Sequence, residues 1–180
     1  LTDVDVDASD IPSKFAVETS EEAIALADDV LFLSDDAKNF LKNLSPQKEL
    51  NVDGVKVLLV HGSPRRNNED ILPGMPLEQI EEMIKNVDAD LIFCGHTHVP
   101  AGYQTNTKQT VVNVGSVGRP MTKDAKSCYC IADFENGSFS IEHRFIDYNR
   151  ELSAEIMRAR NFDGAEKLAE MILHPTSRHI

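Results

Sequence analysis

Three apolar segments of this chain each end in a polar loop that contains glycine, and this arrangement limits the folds open to it. The segments are Val55–Val60, Asp90–Cys94 and Thr110–Val114, and their loops begin at residues 61, 95 and 115. Short apolar runs bounded by turn residues are typical of buried strands. If the three strands run parallel, their loops gather at one edge of the sheet, where ligands of such sheets bind.

A helical pattern and a hairpin pattern accompany these strands. Apolar residues recur at helical spacing over residues 77–84. Asn136-Gly137 is a strong hairpin signal between the predicted strands Ser127–Phe134 and Ser138–Tyr148. Strand–helix–strand units followed by an antiparallel hairpin predict an α/β fold, with a mixed β-sheet sandwich flanked by helices.

Helical patterns also flank this central region. A capping-box pattern begins at Thr19, and Ser34 is placed to cap a second helix that must end before Pro46. Helical spacing returns after residue 148. We expect one domain, divided into an acidic loop and helices (1–54), the sheet region (55–148) and a helical extension (149–180).

Composition excludes several classes of function. The chain of 180 residues carries a net charge of −12 at pH 7, which repels phosphate backbones, so we do not expect non-specific nucleic-acid binding. No run approaches the roughly 18 consecutive apolar residues of a membrane span, and we expect no membrane partner. The three cysteines are sparse and odd in number, which favours reduced thiols and a cytoplasmic location.

Histidines mark the same loops as candidate metal-binding segments. Imidazole is the commonest protein ligand for zinc, iron and similar metals. Three of the six histidines lie in the loops that follow the predicted strands, and they are His61, His96 and His98. The others lie mid-strand or in the C-terminal tail, and they are His143, His174 and His179. Three histidines in two loops that are predicted to meet indicate a metal site.

Glycine lies beside two of these histidines. Gly62 follows His61, and Gly95 precedes His96. Because glycine has no Cβ and adopts positive φ readily, both positions are expected to let the backbone turn sharply. Ordinary turn formation explains Gly62 equally well.

The ordered motifs resemble those of one enzyme superfamily. Residues 95–98, Gly-His-Thr-His, are similar to the last metal motif of the calcineurin-like metallophosphoesterases, and His61-Gly62 is similar to the motif before it. Residues 113–116 resemble the family's Asn-Pro-Gly-Ser loop, except that Val114 replaces the proline. The resemblance covers about residues 55–148, and the small prokaryotic phosphoesterases are the subgroup that the chain resembles most.

The resemblance implies a metallo-dependent phosphatase-like fold in α/β/β/α layers and a site for two divalent metal ions, which would be Mn, Fe, Zn or Ni. It implies that His61 and His96 bind one ion and that His98 binds the other. A hydroxide activated between the ions would then attack a phosphate mono- or diester, on a small molecule or a phosphoprotein. Arg65 and Arg119 lie close to these loops in sequence and are the candidates for phosphate binding.

Other motifs of the superfamily do not occur in this chain. Relatives begin with Asp-x-His, a bridging Asp and Gly-Asn-His, which supply four further ligands and the histidine that protonates the leaving group. The resemblance implies that these motifs lie upstream of Leu1, in an N-terminal half that would be a partner of this chain. We therefore assign no general acid within the chain and expect it to hydrolyse poorly alone. Assembly into a homo-oligomer is left open.

Two other interpretations of the same residues stay open. The first is a non-catalytic interaction scaffold on the same fold, as in the retromer complex of eukaryotes, although a scaffold has no need of the three histidines. The second is a single zinc ion held by three histidines, with water in the fourth position. Metal stoichiometry separates the three: two ions favour the phosphoesterase, one ion favours the zinc site, and none favours the scaffold.

Overall fold

The computed structural model describes residues 32–175, which form two compact units. One unit comprises residues 46–148, and the other comprises residues 32–45 together with residues 149–174. The elements in chain order are α1 (Asp35–Lys42), β1 (Gln47–Val52), β2 (Val55–Val60), α2 (Leu77–Ile84), β3 (Leu91–Cys94), β4 (Ala101–Gln104), β5 (Thr110–Asn113), β6 (Ser127–Glu135), β7 (Ser138–Ile146), α3 (Arg150–Ala159) and α4 (Ala165–Leu173).

A five-stranded mixed sheet organises the larger unit, with strand order β1-β2-β3-β5-β4. The three central strands β2, β3 and β5 run parallel, and the edge strands β1 and β4 run antiparallel to their neighbours. These central strands are the three apolar segments of the sequence. Their carboxyl ends therefore lie side by side at one edge of the sheet, which confirms the predicted gathering of the loops.

Apolar side chains cover both faces of this sheet. On one face, Ile80 and Ile84 of α2 pack with Leu58, Ile92 and Val111 of the central strands. The residues of the other face pack against the hairpin formed by β6 and β7, and the two sets include Val57, Leu91 and Val112 on the sheet and Phe134, Phe139 and Ile141 on the hairpin. A helix, a sheet and a second, two-stranded sheet thus form successive layers, which confirms the predicted α/β sandwich.

Two hairpin turns set the register of the antiparallel pairs. Asn136 and Gly137 have φ of 51° and 73°, as the predicted two-residue turn requires. Asp53 and Gly54 have φ of 50° and 84° and join β1 to β2 in the same way. The sequence prediction missed β1 because nearly every side chain of this polar edge strand is exposed. It also missed β4, whose four residues include a glycine and a glutamine and form no apolar run.

The smaller unit is helical. Ser34 caps α1 as predicted, since its Oγ accepts a hydrogen bond of 3.2 Å from the backbone N of Ala37. Helices α3 and α4 pack together, and Arg158 of α3 forms ion pairs with Glu166 and Glu170 of α4. The helix predicted after Thr19 lies outside the described residues. Among residues 32–175, no helix is both long and apolar enough to cross a membrane.

Candidate metal centre

His61 and His96 meet at the edge of the sheet where the central strands end. His61 follows β2, and His96 follows β3 by two residues. The backbone N of Gly95 donates a hydrogen bond of 2.8 Å to the carbonyl of His61, so the first residues of the two loops lie side by side. The side chains are then edge to face, with His61 Nε2 and His96 Nδ1 3.3 Å apart and the rings at 69°.

This separation fits two ligands of one metal ion. Two imidazole nitrogens bound at 2.0–2.1 Å to a tetrahedral zinc ion stand about 3.3 Å apart, and the observed distance is 3.3 Å. Within residues 32–175, no group of three or more His, Cys, Asp or Glu side chains is placed to hold an ion. A tetrahedral zinc ion takes four ligands, of which this pair could supply two.

The electrostatic surroundings of His61 suit a neutral metal ligand. Partial burial lowers the pKa of His61, and the neighbouring imidazole of His96 lowers this pKa further. Because a lowered pKa disfavours the imidazolium, the ring keeps a lone pair free of a proton at neutral pH. Metal binding at this side chain therefore competes little with protonation.

The backbone around His96 has a strained conformation. Thr97 N donates to Gly95 O at 2.7 Å, which closes a three-residue turn centred on His96. His96 has a φ of 65°, and such a turn with positive φ at its centre is rare and strained. His98 also has a positive φ, of 61°. Left-handed backbone at a residue other than glycine costs on the order of 1–3 kcal/mol and is concentrated at functional sites.

The expectation that Gly62 and Gly95 supply positive φ is wrong. Neither glycine has a positive φ, and the histidine after Gly95 takes that conformation instead. Gly62 is needed for close approach, because a Cβ there would lie 2.5 Å from the carbonyl oxygen of Asn67 and 2.8 Å from that of Arg66. A Cβ at Gly95 would only touch the His61 carbonyl, at 3.7 Å.

A buried amide, Asn113, holds the strained turn. Its Nδ2 donates to Gly95 O at 2.9 Å and to Thr97 Oγ1 at 2.8 Å, on either side of His96. The same Nδ2 lies 2.9 Å from the carbonyl of Ile71, so its two hydrogens are shared among three acceptors and the loop that follows His61 is tied in. Asn113 is 1% exposed. The sequence motif marked this residue only through its resemblance to a loop, whereas the structure places it behind the site.

His98 is oriented by the loop that follows β5. Its Nδ1 lies 2.8 Å from the backbone carbonyl of Arg119, and a carbonyl can only accept, so Nδ1 carries the proton. In the neutral ring the lone pair then lies on Nε2. Arg119 is held in turn by a hydrogen bond of 3.0 Å from its backbone N to Ser116 Oγ. The convergence of His98 with the other two imidazoles on one volume stays a prediction.

The structure pairs Arg65 with a carboxylate. Its guanidinium donates to Glu69 at 3.0 Å from Nε and at 2.6 Å from an Nη, and the Oγ of Ser63 donates to the same carboxylate. Arg66 adds a contact of 3.0 Å. These donors hold the pKa of Glu69 at about 2, with the bond from Arg65 as the largest cause. This cluster fixes the loop after His61.

One acidic side chain beside the site was not identified from the sequence. Asp70 Oδ1 lies 3.5 Å from His96 Nε2, the ring nitrogen that faces away from His61. No sequence motif singles out Asp70, because its loop approaches His96 only through tertiary contacts such as that between Asn113 and Ile71. A carboxylate behind a metal-binding imidazole is a recurrent arrangement in metal sites.

The remaining histidines lie apart from these loops. His143 of β7 donates from Nε2 to the carbonyl of Asn113 at 2.8 Å and thus packs against the end of β5. His174 follows α4, and its side chain is largely exposed. His179 lies outside the described residues.

Proteins from several organisms share parts of this sequence and fold. An uncharacterized protein of Methanocaldococcus jannaschii is 29% identical over an alignment of 124 positions, which covers 61% of this chain and 49% of that protein. The chain thus spans about half the length of this curated relative.

Two crystal structures share the architecture. A hypothetical protein of Pyrococcus horikoshii OT3 superposes with a TM-score of 0.81 at 17% identity, over 97% of this chain and 69% of that one. A metallophosphoesterase from Sphaerobacter thermophilus gives a TM-score of 0.65 at 21% identity, over 81% and 64% of the two chains. At these identities the likeness shows the fold, a mixed five-stranded sheet flanked by helices.

The family match covers more of the sequence than the metal motifs alone. The calcineurin-like phosphoesterase superfamily domain matches residues 6–137, which is more than half of the chain and begins well before His61. The match includes both His61-Gly62 and the Gly-His-Thr-His segment. The chain therefore belongs to the calcineurin-like phosphoesterase superfamily.

Proposed function

We propose that this chain forms part of a phosphoesterase site in which His61 and His96 bind one divalent metal ion and His98 binds a second. The observation that carries the proposal is the separation of 3.3 Å between His61 Nε2 and His96 Nδ1, which suits two ligands of one ion. Family membership supports the reaction class. The reaction is the hydrolysis of phosphate mono- or diesters.

Metal ions supply two things to such a site when bound: they lower the pKa of water and neutralise phosphoryl oxygens. The second matters here because the chain carries a net charge of −12, which repels an anionic substrate. The ions proposed are Mn, Fe, Zn or Ni, since imidazole suits Fe, Zn and Ni, and carboxylate or water oxygens in the same ligand set suit Mn. Ligands beyond the histidines are proposed to come from outside residues 32–175.

The protein's own contribution is to position donors before the ion arrives. His61 is held neutral, and His96 is held in a strained turn by the buried amide of Asn113. Rigid placement of this kind avoids the loss of loop entropy on binding. The strain at His96 is compensated by the hydrogen bonds of the surrounding fold.

Arg119 and Arg65 are the proposed phosphate contacts, and the structure supports them unequally. The backbone carbonyl of Arg119 touches the ring of His98, so this residue lies beside a proposed ligand of the second ion. The guanidinium of Arg65 is already bidentate on Glu69 and must leave that carboxylate to reach a substrate. We place the activity in the cytoplasm, because all three cysteines are free thiols, which reducing compartments preserve.

The experiment is a metal titration of the full chain and of three variants, with Mn²⁺ and Zn²⁺ followed by calorimetry. His61→Ala and His96→Ala should each weaken binding of the same ion, because each removes one of two paired donors. His174→Ala is the control, since this side chain is exposed beyond α4. Hydrolysis of p-nitrophenyl phosphate and bis-p-nitrophenyl phosphate is followed in parallel. Unchanged metal binding in both site variants would overturn the proposal.

A further inference from the structure

We propose that Asp70 is a positioning residue that fixes the proton of His96 on Nε2 and so directs the lone pair of Nδ1 toward the metal ion. The inference rests on the proposed function, because it needs His96 to be a ligand. It goes beyond the sequence motifs that marked the histidines, since Asp70 belongs to none of those motifs.

The contacts of the His96 ring point in two directions. Nδ1 faces His61 Nε2 at 3.3 Å, and Nε2 faces Asp70 Oδ1 at 3.5 Å. A carboxylate attracts the ring N–H and therefore favours the tautomer with the proton on Nε2. That tautomer leaves the lone pair on Nδ1, the nitrogen that stands at ligand distance from the His61 nitrogen.

Asp70 contacts the ring nitrogen of His96 that faces away from the proposed ion and does not bind the ion itself. The two ring nitrogens of an imidazole project from opposite edges, so a group at Nε2 is remote from an ion at Nδ1. Its effect on the metal is exerted through His96.

Hydrogen bonds hold the residues directly before and after Asp70 in sequence, although the side chain of Asp70 itself is 43% exposed. Glu69 is bound by Ser63, Arg65 and Arg66. Ile71 is 1% exposed, and its carbonyl accepts from Asn113 Nδ2 at 2.9 Å. The backbone of Asp70 is thus held between an ionic cluster and the core, which limits the carboxylate to positions within reach of His96.

The buried amide of Asn113 couples this carboxylate to its imidazole. One Nδ2 atom bonds to Ile71, next to Asp70, and to Gly95, next to His96. A single buried group therefore holds the backbone beside both residues and sets the spacing of the two loops that carry them. An ordinary surface ion pair contributes little to stability and has no such buried group behind it.

The first test measures metal affinity by titration of the full chain with Co²⁺, whose absorption reports coordination. Asp70→Ala should weaken Co²⁺ binding by about 10–100-fold, as loss of such partners does at other sites. Asp70→Glu should recover most of the affinity. Asp88→Ala is the matched control, because it removes the same charge from an exposed pair with Lys56. Equal affinity in Asp70→Ala and Asp88→Ala would overturn the inference.

The second test needs no metal. Long-range ¹H–¹⁵N correlation spectra at pH 8.5 report which nitrogen of the neutral His96 ring carries the proton. We expect Nε2–H in the wild type and a loss of this preference in Asp70→Ala. A wild-type ring protonated on Nδ1 overturns the inference whatever the metal data show. Absence of Co²⁺ binding by the wild type overturns the proposed function and the inference with it, whereas wild-type binding that Asp70→Ala leaves unchanged overturns the inference alone.

Discussion

The substitution Gly62→Ala tests whether close backbone approach fixes the loop after His61. The added Cβ would lie 2.5 Å from Asn67 O, 2.7 Å from Asn67 C and 2.8 Å from Arg66 O. All three atoms belong to the backbone, so relief requires the loop itself to move. Overpacking of this kind costs about 1–3 kcal/mol. For a chain of this size, that loss lowers the melting temperature by about 2–12 °C.

Gly95→Ala is the matched control for this substitution. Gly95 also adjoins a site histidine, but a Cβ there meets only His61 O, at 3.7 Å, which is an ordinary contact. Because its φ is not positive, alanine should be tolerated or should stabilise by up to about 1 kcal/mol through the unfolded state. Thermal denaturation of both variants beside the wild type measures the difference. Equal melting temperatures for the two variants would refute the reasoning.

Three further predictions concern the groups around the histidines. Asn113→Ala should destabilise by about 2–4 kcal/mol in chemical denaturation, because it removes buried hydrogen bonds to Ile71, Gly95 and Thr97; wild-type stability would contradict this. His96→Gly should be about 1 kcal/mol more stable than His96→Ala, since glycine adopts a φ of 65° without strain, and the opposite order would show that the turn is unstrained. The folded pKa of Glu69 is lowered from 4.5 to about 2, so its stabilisation is present above pH 4.5 and is lost as the pH falls toward 2. Glu69→Gln should remove about 2 kcal/mol of that acid dependence after discounting for the exposed arginines, and an unchanged acid-unfolding profile would count against the cluster.

The parts of the fold that sequence periodicity predicts are those where burial dictates the pattern. β2, β3 and β5 are buried central strands, and their apolar runs were sufficient to locate them and the loops at their ends. The sequence pattern did not reveal β1, because an edge strand exposed on both faces needs no alternation of apolar and polar residues. The Asp53-Gly54 pair was the signal that could have revealed it, since this dipeptide favours the turn that joins β1 to β2.

The site shows a similar division between local and tertiary information. His61 and His96 could be predicted to meet because each follows one of two adjacent parallel strands. The residue that adopts a positive φ could not be predicted. Local preference favours Gly95, whereas the hydrogen bonds from Asn113 hold His96 in that conformation. Asp70 was equally inaccessible, because a loop of irregular backbone brings it to His96 and no spacing rule describes such a loop.

Anomalous diffraction is the most direct test of the central claim that His61 and His96 share one metal ion. Crystals of the full chain grown with Zn²⁺ would be measured at the zinc edge, where only the metal gives a strong signal. We predict an anomalous peak about 2.0–2.2 Å from both His61 Nε2 and His96 Nδ1. A peak at only one of these nitrogens, or a fully bound zinc ion elsewhere with this pair still in direct contact, would contradict the account.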